Sequence, residues 1–292
     1  MLKQRVLTAI VMALVGLAAL FGLGSLPFSL AALLLFLALG GWEAARLAGA
    51  TCPIQRTLFA ALLSVPAAGL LLGGNDWLVL LGERAASLAG AEADPRRALT
   101  LLFMPGCLAW VGFIAWLARP DWGRQTSRAM RAFKLVAMAI LLWSAWLAVS
   151  WLQAQSPWWV LLLIVVIAAA DIGAYFTGRA VGGPKLAPRI SPGKTQSGAL
   201  GGLVASALLT ALAAWLLPNA PISPLQAIPV AAGLALISIG GDLFISLLKR
   251  QQALKDTSAL FPGHGGVLDR FDSLSAALPF FALLLIWLTT GS

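Results

Sequence analysis

Apolar runs close to the roughly 20 residues needed to cross a bilayer as a helix recur along this chain, broken by short charged or Gly/Pro-containing connections. They predict nine spans, at about 6–23, 28–42, 57–73, 99–118, 133–152, 157–177, 198–217, 226–247 and 273–290. The runs are too long for buried strands, and bilayer-spanning backbone must satisfy its own hydrogen bonds, so the expected fold is all-α: a polytopic integral membrane helical bundle. One membrane domain over 1–292 is expected, with an N-terminal span region at 1–152 and the chemistry in 153–292.

Composition agrees. Of 292 residues, 60% are hydrophobic and 11% charged, with a mean hydropathy of +0.90, far from the roughly 25% charged residues of a soluble domain. The net charge of +9 does not indicate nucleic acid, because the basic residues sit between spans, where they set orientation and meet anionic lipid. With nine spans, every lysine and arginine except Arg84, Arg96 and Arg97 falls on the same side as the N-terminus. That side is therefore expected to be the cytoplasm, the membrane a bacterial inner membrane, and MLKQR the start of an uncleaved first span. Cys52 and Cys107 show no metal or disulfide spacing. The outer segment 74–97 reads as a solvated loop or a short interfacial helix. The loop RPDWGRQTSRAMRAFK reads as a basic anchor with interfacial aromatics. GALGGLVASALL and AAGLALISIGG carry small residues that let helices approach closely, so these two spans are expected to pack on each other, and such faces also allow a homodimer.

Four acids lie where hydropathy alone would not place them: Asp171, Asp242, Asp269 and Asp272. A carboxylate at span depth costs about 2.5–3.5 kcal/mol on insertion scales, so each should face a polar cavity and a partner. An ion pair would explain any one of them. Several converging from different helices, without His or Cys clusters, favour a hard cation, magnesium before zinc. Asp269 and Asp272 are three residues apart and share a face if a helix begins there. Upstream, GRAVGGPKLAPRISPGKTQSG sets Arg179, Lys185, Arg189 and Lys194 among Ser191, Thr195 and Ser197 ahead of a span, which is the material of an anion site. PGKT lacks the glycine spacing of a phosphate-binding Walker loop. In PGHGGVLDR, Pro262, Gly263, Gly265 and Gly266 make a tight turn around His264, the single histidine, suited to a phosphate contact or proton transfer. Carboxylates for magnesium beside basic loops at the lipid boundary describe phosphoryl or nucleotidyl transfer on a membrane substrate.

The stretch SLLKR, four residues, KD, then PGHGGVLDRFD resembles the signature of the phosphatidate cytidylyltransferases, the CDP-diacylglycerol synthases. DIGAYFTGR, GPKL, ISPGKT and GDLFISLLKR resemble that family's other blocks, so the likeness covers about 168–275 by motif. Where the family often has a second lysine in SPKKT, a glutamate two residues after that threonine and a glutamate in GDLFES, this chain has Gly193, Ser197 and Ile245. The resemblance implies condensation of CTP with phosphatidic acid to CDP-diacylglycerol and pyrophosphate. It implies Asp242, Asp269 and Asp272 as ligands of magnesium, with room for a second cation, and Asp171 and Asp256 as further ligands or orienters. It implies Lys194, Lys249, Arg250, Lys255 and Arg270 as phosphate-binding groups, joined by Ser191, Thr195, Ser246 and His264. A CTP-dependent lipid or polyprenol kinase and a cation-coupled transporter are the competing readings; the transporter predicts acids near mid-membrane and internal repeats.

Overall fold

The computed structural model describes residues 2–88, 95–124, 127–216, 222–261 and 263–289. The chain runs α1 (Leu2–Gly22), α2 (Ser25–Leu33), a π-helical stretch (Leu34–Leu39), α3 (Gly40–Leu47), α4 (Pro53–Leu71), α5 (Trp77–Leu88), α6 (Pro95–Trp116) and α7 (Arg128–Gln155). The second half holds α8 (Pro157–Val181), strands β1 (Lys185–Ala187) and β2 (Ser191–Thr195), α9 (Gln196–Leu216), α10 (Pro224–Gln251) and α11 (Leu268–Thr289). Among the described residues, eight helices are long and apolar enough to cross a membrane, and Leu7–Gly22 is a shorter apolar one. The nine-helix bundle read from hydropathy is therefore present.

Its boundaries moved wherever a charge had been taken as a stop. The second span runs over Ser25–Leu47 rather than ending near 42, because Glu43 is buried inside the bundle instead of marking water. The tenth helix keeps Lys249 and Arg250 in its last turn, and the eleventh takes Asp269 into its first. Those placements suit the helix dipole, positive at the N-terminus and negative at the C-terminus. Serines mark the starts: Ser127 caps α7 by accepting from Met130 N at 3.1 Å, and Ser223 opens α10 with a capping box closed by Gln226. Within 74–97, a 3-10 turn at Gly74–Asp76 leads into α5, whose Trp77 is buried and stacks on Trp146 at 5.0 Å; residues 89–94 lie outside those described.

The hairpin was not foreseen. β1 and β2 pair antiparallel, Lys185 opposite Thr195 and Ala187 opposite Ser191, where the sequence suggested only a basic loop. With strands of three and five residues, mostly exposed or half-buried, no alternating pattern could announce it. Thr195 then starts α9, its Oγ1 accepting from Gly198 N at 3.1 Å. Arg189 ties the hairpin to the α6–α7 connection, its Nη2 lying 2.7 and 2.8 Å from the two carboxylate oxygens of Asp121. The Arg189 guanidinium holds the Asp121 carboxyl below the usual carboxylate range. The tie is thus fully charged at neutral pH and is lost as pH falls through that lowered value.

The α8–α9 hairpin, the α6–α7 connection and the end of α10 meet at one end of the bundle. Gln251 Nε2 donates to the carbonyls of Pro120 at 3.2 Å and Trp122 at 2.9 Å, and Lys134 Nζ donates to Gln251 Oε1 at 2.7 Å. Trp116, Trp122 and Phe133 cluster there, with Trp116 Nε1 donating to the Trp122 carbonyl. Arg250 reaches the carbonyl of Ile190 at 3.4 Å.

Helices α9 and α10 pack on each other as expected, while their glycines face other neighbours. Those of α9 lie against α8: a Cβ on Gly201 would sit 2.2 Å from Thr177 Oγ1, and one on Gly202 would sit 2.6 Å from the Ala170 carbonyl. Gly240 and Gly241 of α10 face α6 and α11 instead. The opposite edge of α9, with Leu200, Val204, Leu208 and Leu212, is exposed in steps of one turn and suits lipid. Gly201→Val is expected to cost about 1–3 kcal/mol by overpacking, read as a lower melting temperature in detergent. Gly69→Ala, where an added Cβ meets nothing within 4 Å, should melt like the parent; equal melting of both variants would refute the α8–α9 packing.

Candidate active site

A cavity of about 930 Å³ opens where α8, the hairpin, α9, α10 and α11 meet. Asp171, Asp242, Asp269 and Asp272 all line it, with Arg179, Lys185, Lys194 and Arg270. Much of its remaining wall is apolar, including Ile164, Ile167, Ala168, Ile239 and Leu274. One space is therefore charged at the hairpin end and hydrocarbon along the span.

The acids are aimed by packing. Phe244 of α10 is fully buried and stacks on Phe113 of α6 at 4.8 Å. Two residues on a helix turn about 200°, so a ring locked on one side sends Asp242 to the other. Directly beside it, a Cβ on Gly241 would lie 2.7 Å from the Asp272 carbonyl and 2.6 Å from the Ala276 Cβ. The absent side chain lets α10 and α11 come together at this level, so that Asp242 and Asp272, next to that contact, line the same cavity. Asp171 on α8 lines the same cavity. Lys194, brought in by β2, forms an ion pair with Asp242, their side chains 31% and 27% exposed.

Asp269 sits differently from the open metal ligand expected. Its side chain is only 4% exposed, and both oxygens are engaged. Oδ1 accepts from Lys249 Nζ at 2.6 Å, while Oδ2 accepts from Thr257 N at 2.7 Å and Gly266 N at 2.9 Å and lies 2.8 Å from Thr257 Oγ1. It borders the cavity while fastening the loop that leads into α11. Lys249, expected on a phosphate, lies beneath the cavity wall on that carboxylate.

Other expected residues stand away from the cavity lining. Lys255 and Asp256 are exposed on the loop after α10. Ser246 Oγ donates to Asp242 Oδ1 at 3.4 Å within its own helix. Arg250 holds backbone carbonyls of Ile190 and Leu254. Ser191 lies at the hairpin's turn end. His264 donates its backbone N–H to the Phe261 carbonyl, and its Nδ1 is buried with no hydrogen bond partner among the described residues; Pro262 of the same turn lies outside them. Thr195 and Arg270 do line the cavity. Of the departures from the family pattern, Gly193 lines the cavity, Ser197 donates to the Gly182 carbonyl, and Ile245 is buried in the core. Tyr175 was not singled out from sequence, yet it lines the cavity and accepts from Arg179 Nη1 at 2.9 Å.

The donors suit a hard cation that brings part of its own shell. Among the described residues no three His, Cys, Asp or Glu stand together as a ready cage. Asp171, Asp242 and Asp272 line one cavity, with the Lys194 ammonium ion on Asp242, and offer oxygen donors of the kind a hard cation takes. Magnesium is commonly held by one or two carboxylates, with water and substrate phosphates completing its octahedron.

Comparison with known proteins gives this site a family. A chain from Pseudomonas aeruginosa called phosphatidate cytidylyltransferase is 38% identical over 290 residues, covering 98% of this chain and 97% of that one. Proteins of the same name from Haemophilus influenzae and Bacillus subtilis are 45% identical over 125 residues and 44% identical over 121 residues. These cover 42% and 41% of this chain, and 43% and 45% of theirs. The sequence profile of the cytidylyltransferase family matches residues 3–288, so the chain belongs to the cytidylyltransferase family.

Proposed function

We propose that this protein transfers the cytidylyl group of CTP to phosphatidic acid, giving CDP-diacylglycerol and pyrophosphate. One observation carries the reading. A single cavity joins four carboxylates and four basic side chains to an apolar wall along the span, which suits a charged headgroup and a nucleotide at one end and an acyl tail at the other.

In the reaction, a phosphate oxygen of the lipid attacks the α-phosphorus of CTP, the bond from that phosphorus to the bridging oxygen breaks, and pyrophosphate leaves in line. The lipid phosphate is already ionised, so no general base is needed. The difficulty lies in bringing two anions together, and the chain meets it by position. Arg179, Lys185, Lys194 and Arg270 offset the phosphate charges, and the apolar wall orients the tail. Asp242 and Asp272 would hold magnesium, with Asp171 and Asp269 at its margin. When bound, the ion neutralises and orients the triphosphate. We place the basic end of the bundle on the cytoplasmic side of a bacterial inner membrane, where CTP is available, a reading supported by the excess of lysine and arginine in that end's connections.

Purified protein in mixed micelles with CTP, phosphatidate and magnesium is expected to release one pyrophosphate per cytidylyl lipid formed. CDP together with a phosphorylated lipid alcohol would instead establish a kinase. Asp242→Asn and Asp272→Asn are each expected to lower kcat by about 10²–10³-fold, the usual loss for a directly engaged electrostatic group. Gly241→Val should raise the half-saturating magnesium concentration by forcing α11 away from α10; an unchanged magnesium requirement would count against the Asp242–Asp272 pair.

A further inference from the structure

Glu43 lies in the N-terminal half, on α3, far in sequence from the motifs that build the cavity. It is 2% exposed. A carboxylate taken out of water loses several kcal/mol of solvation unless hydrogen bonds replace the lost water. Four neutral hydroxyl and amide groups surround Glu43, all from the stretch Thr257–Leu268 that leads into α11, the single Thr257 hydroxyl proton being shared with Asp269. Oε1 accepts from Ser258 Oγ at 2.6 Å and Val267 N at 3.0 Å, and Oε2 accepts from Leu268 N at 2.9 Å and lies 2.8 Å from Thr257 Oγ1. One turn further along α3, Arg46 donates to the Thr257 carbonyl at 2.8 Å.

Val267 and Leu268 are where α11 begins. Their N–H groups belong to the first turn, which lacks partners within the helix and carries its partial positive charge. A helix usually receives a capping oxygen from the residue just before it. Here the oxygens come from a residue 225 positions away.

The fit around this carboxylate is tight. Gly266 has room for hydrogen only, since a Cβ would lie 2.2 Å from Glu43 Oε1 and 2.3 Å from Thr257 Oγ1. Thr257 Oγ1 in turn stands 2.8 Å from Glu43 Oε2 and 2.8 Å from Asp269 Oδ2, and Asp269 Oδ1 is bonded to Lys249. A continuous run of polar contacts therefore leads from α3 through the loop to the cavity wall. Four residues beyond Leu268, one turn up the same helix, comes Asp272, whose backbone lies against Gly241 and whose side chain shares the cavity with Asp242 across the α10–α11 contact. At 1.5 Å of rise per residue, a shift of α11 by a fraction of one step opens that contact.

We infer that Glu43 is a positioning residue for the transfer site, capping α11 from another helix and so setting the level of Asp272 relative to Asp242. This rests on the reading of the cavity as a cytidylyl-transfer site holding a divalent cation.

Glu43→Gln keeps the shape of the side chain but turns an amide N–H₂ toward two of the four donors. It is expected to insert and purify as the parent does, with a melting temperature within a few degrees. It should weaken manganese binding, followed by electron paramagnetic resonance on substrate-free protein, by about 10–100-fold, the usual effect of disturbing groups behind metal ligands. kcat should fall by a similar factor with KM for phosphatidate little changed. Gly266→Ala presses on the same carboxylate and should act in the same direction. The double variant should be no worse than the poorer single one, because both disturb one contact.

Parent-like manganese affinity in Glu43→Gln would overturn the inference, and so would additive losses in the double variant. Should Glu43→Gln fail to fold, Glu43→Asp, which keeps the charge and shortens the reach, and Gly266→Ala are judged by the same manganese measurement. Failure of the transfer reading shows separately, as a parent protein that binds manganese but forms no cytidylyl lipid from CTP and phosphatidate.

Discussion

Carboxylates inside an apolar bundle are the constraint around which this molecule is built. Each of the acids that matter is answered by a different kind of partner. Asp242 meets an ammonium ion from the hairpin, Asp269 meets an ammonium ion and backbone amides, and Glu43 meets only hydroxyls and amides. Asp272 accepts from the Ser273 N–H at 2.8 Å and shares the cavity with Asp171 and Asp242. The remaining architecture follows from keeping these partners in register at one end of a bundle otherwise held by helix packing.

That register depends on contacts of very different character. Aromatic stacking between Phe113 and Phe244 sets the rotation of α10. Close backbone approach at Gly241 sets the spacing of α10 from α11. The trans cap from Glu43 sets the level of α11 along its own axis. Removing any one leaves the residues of the cavity present in composition yet displaced in space, and phosphoryl-type chemistry is sensitive to displacement of that size.

The spans could be read because each needs only its own residues to be apolar, and that property is local. The four acids at the cavity could be read because a carboxylate within hydrocarbon is conspicuous wherever it points. What could not be read depended on partners distant in sequence. Glu43 looked like a span boundary, since nothing nearby in the chain reveals four donors more than 200 positions away. The small residues of α9 and α10 announced that these two spans pack together, but not that their glycines face α8, α6 and α11. Lys255 and Asp256 carry the signature's spacing but stand exposed outside the cavity lining, whereas Tyr175, aromatic in an apolar run, lines it.

The trans cap also bears on how the protein is made. Helices of a membrane bundle are inserted in the order in which they are synthesised, so α3 is in place long before the loop that satisfies it has been translated. During that interval Glu43 holds an acceptor group in the bundle with none of its four final donors. Arrival of the start of α11 brings the Val267 and Leu268 N–H groups to that early carboxylate. A chain stopped before α11 would be marked as unfinished by a buried acid with no partner.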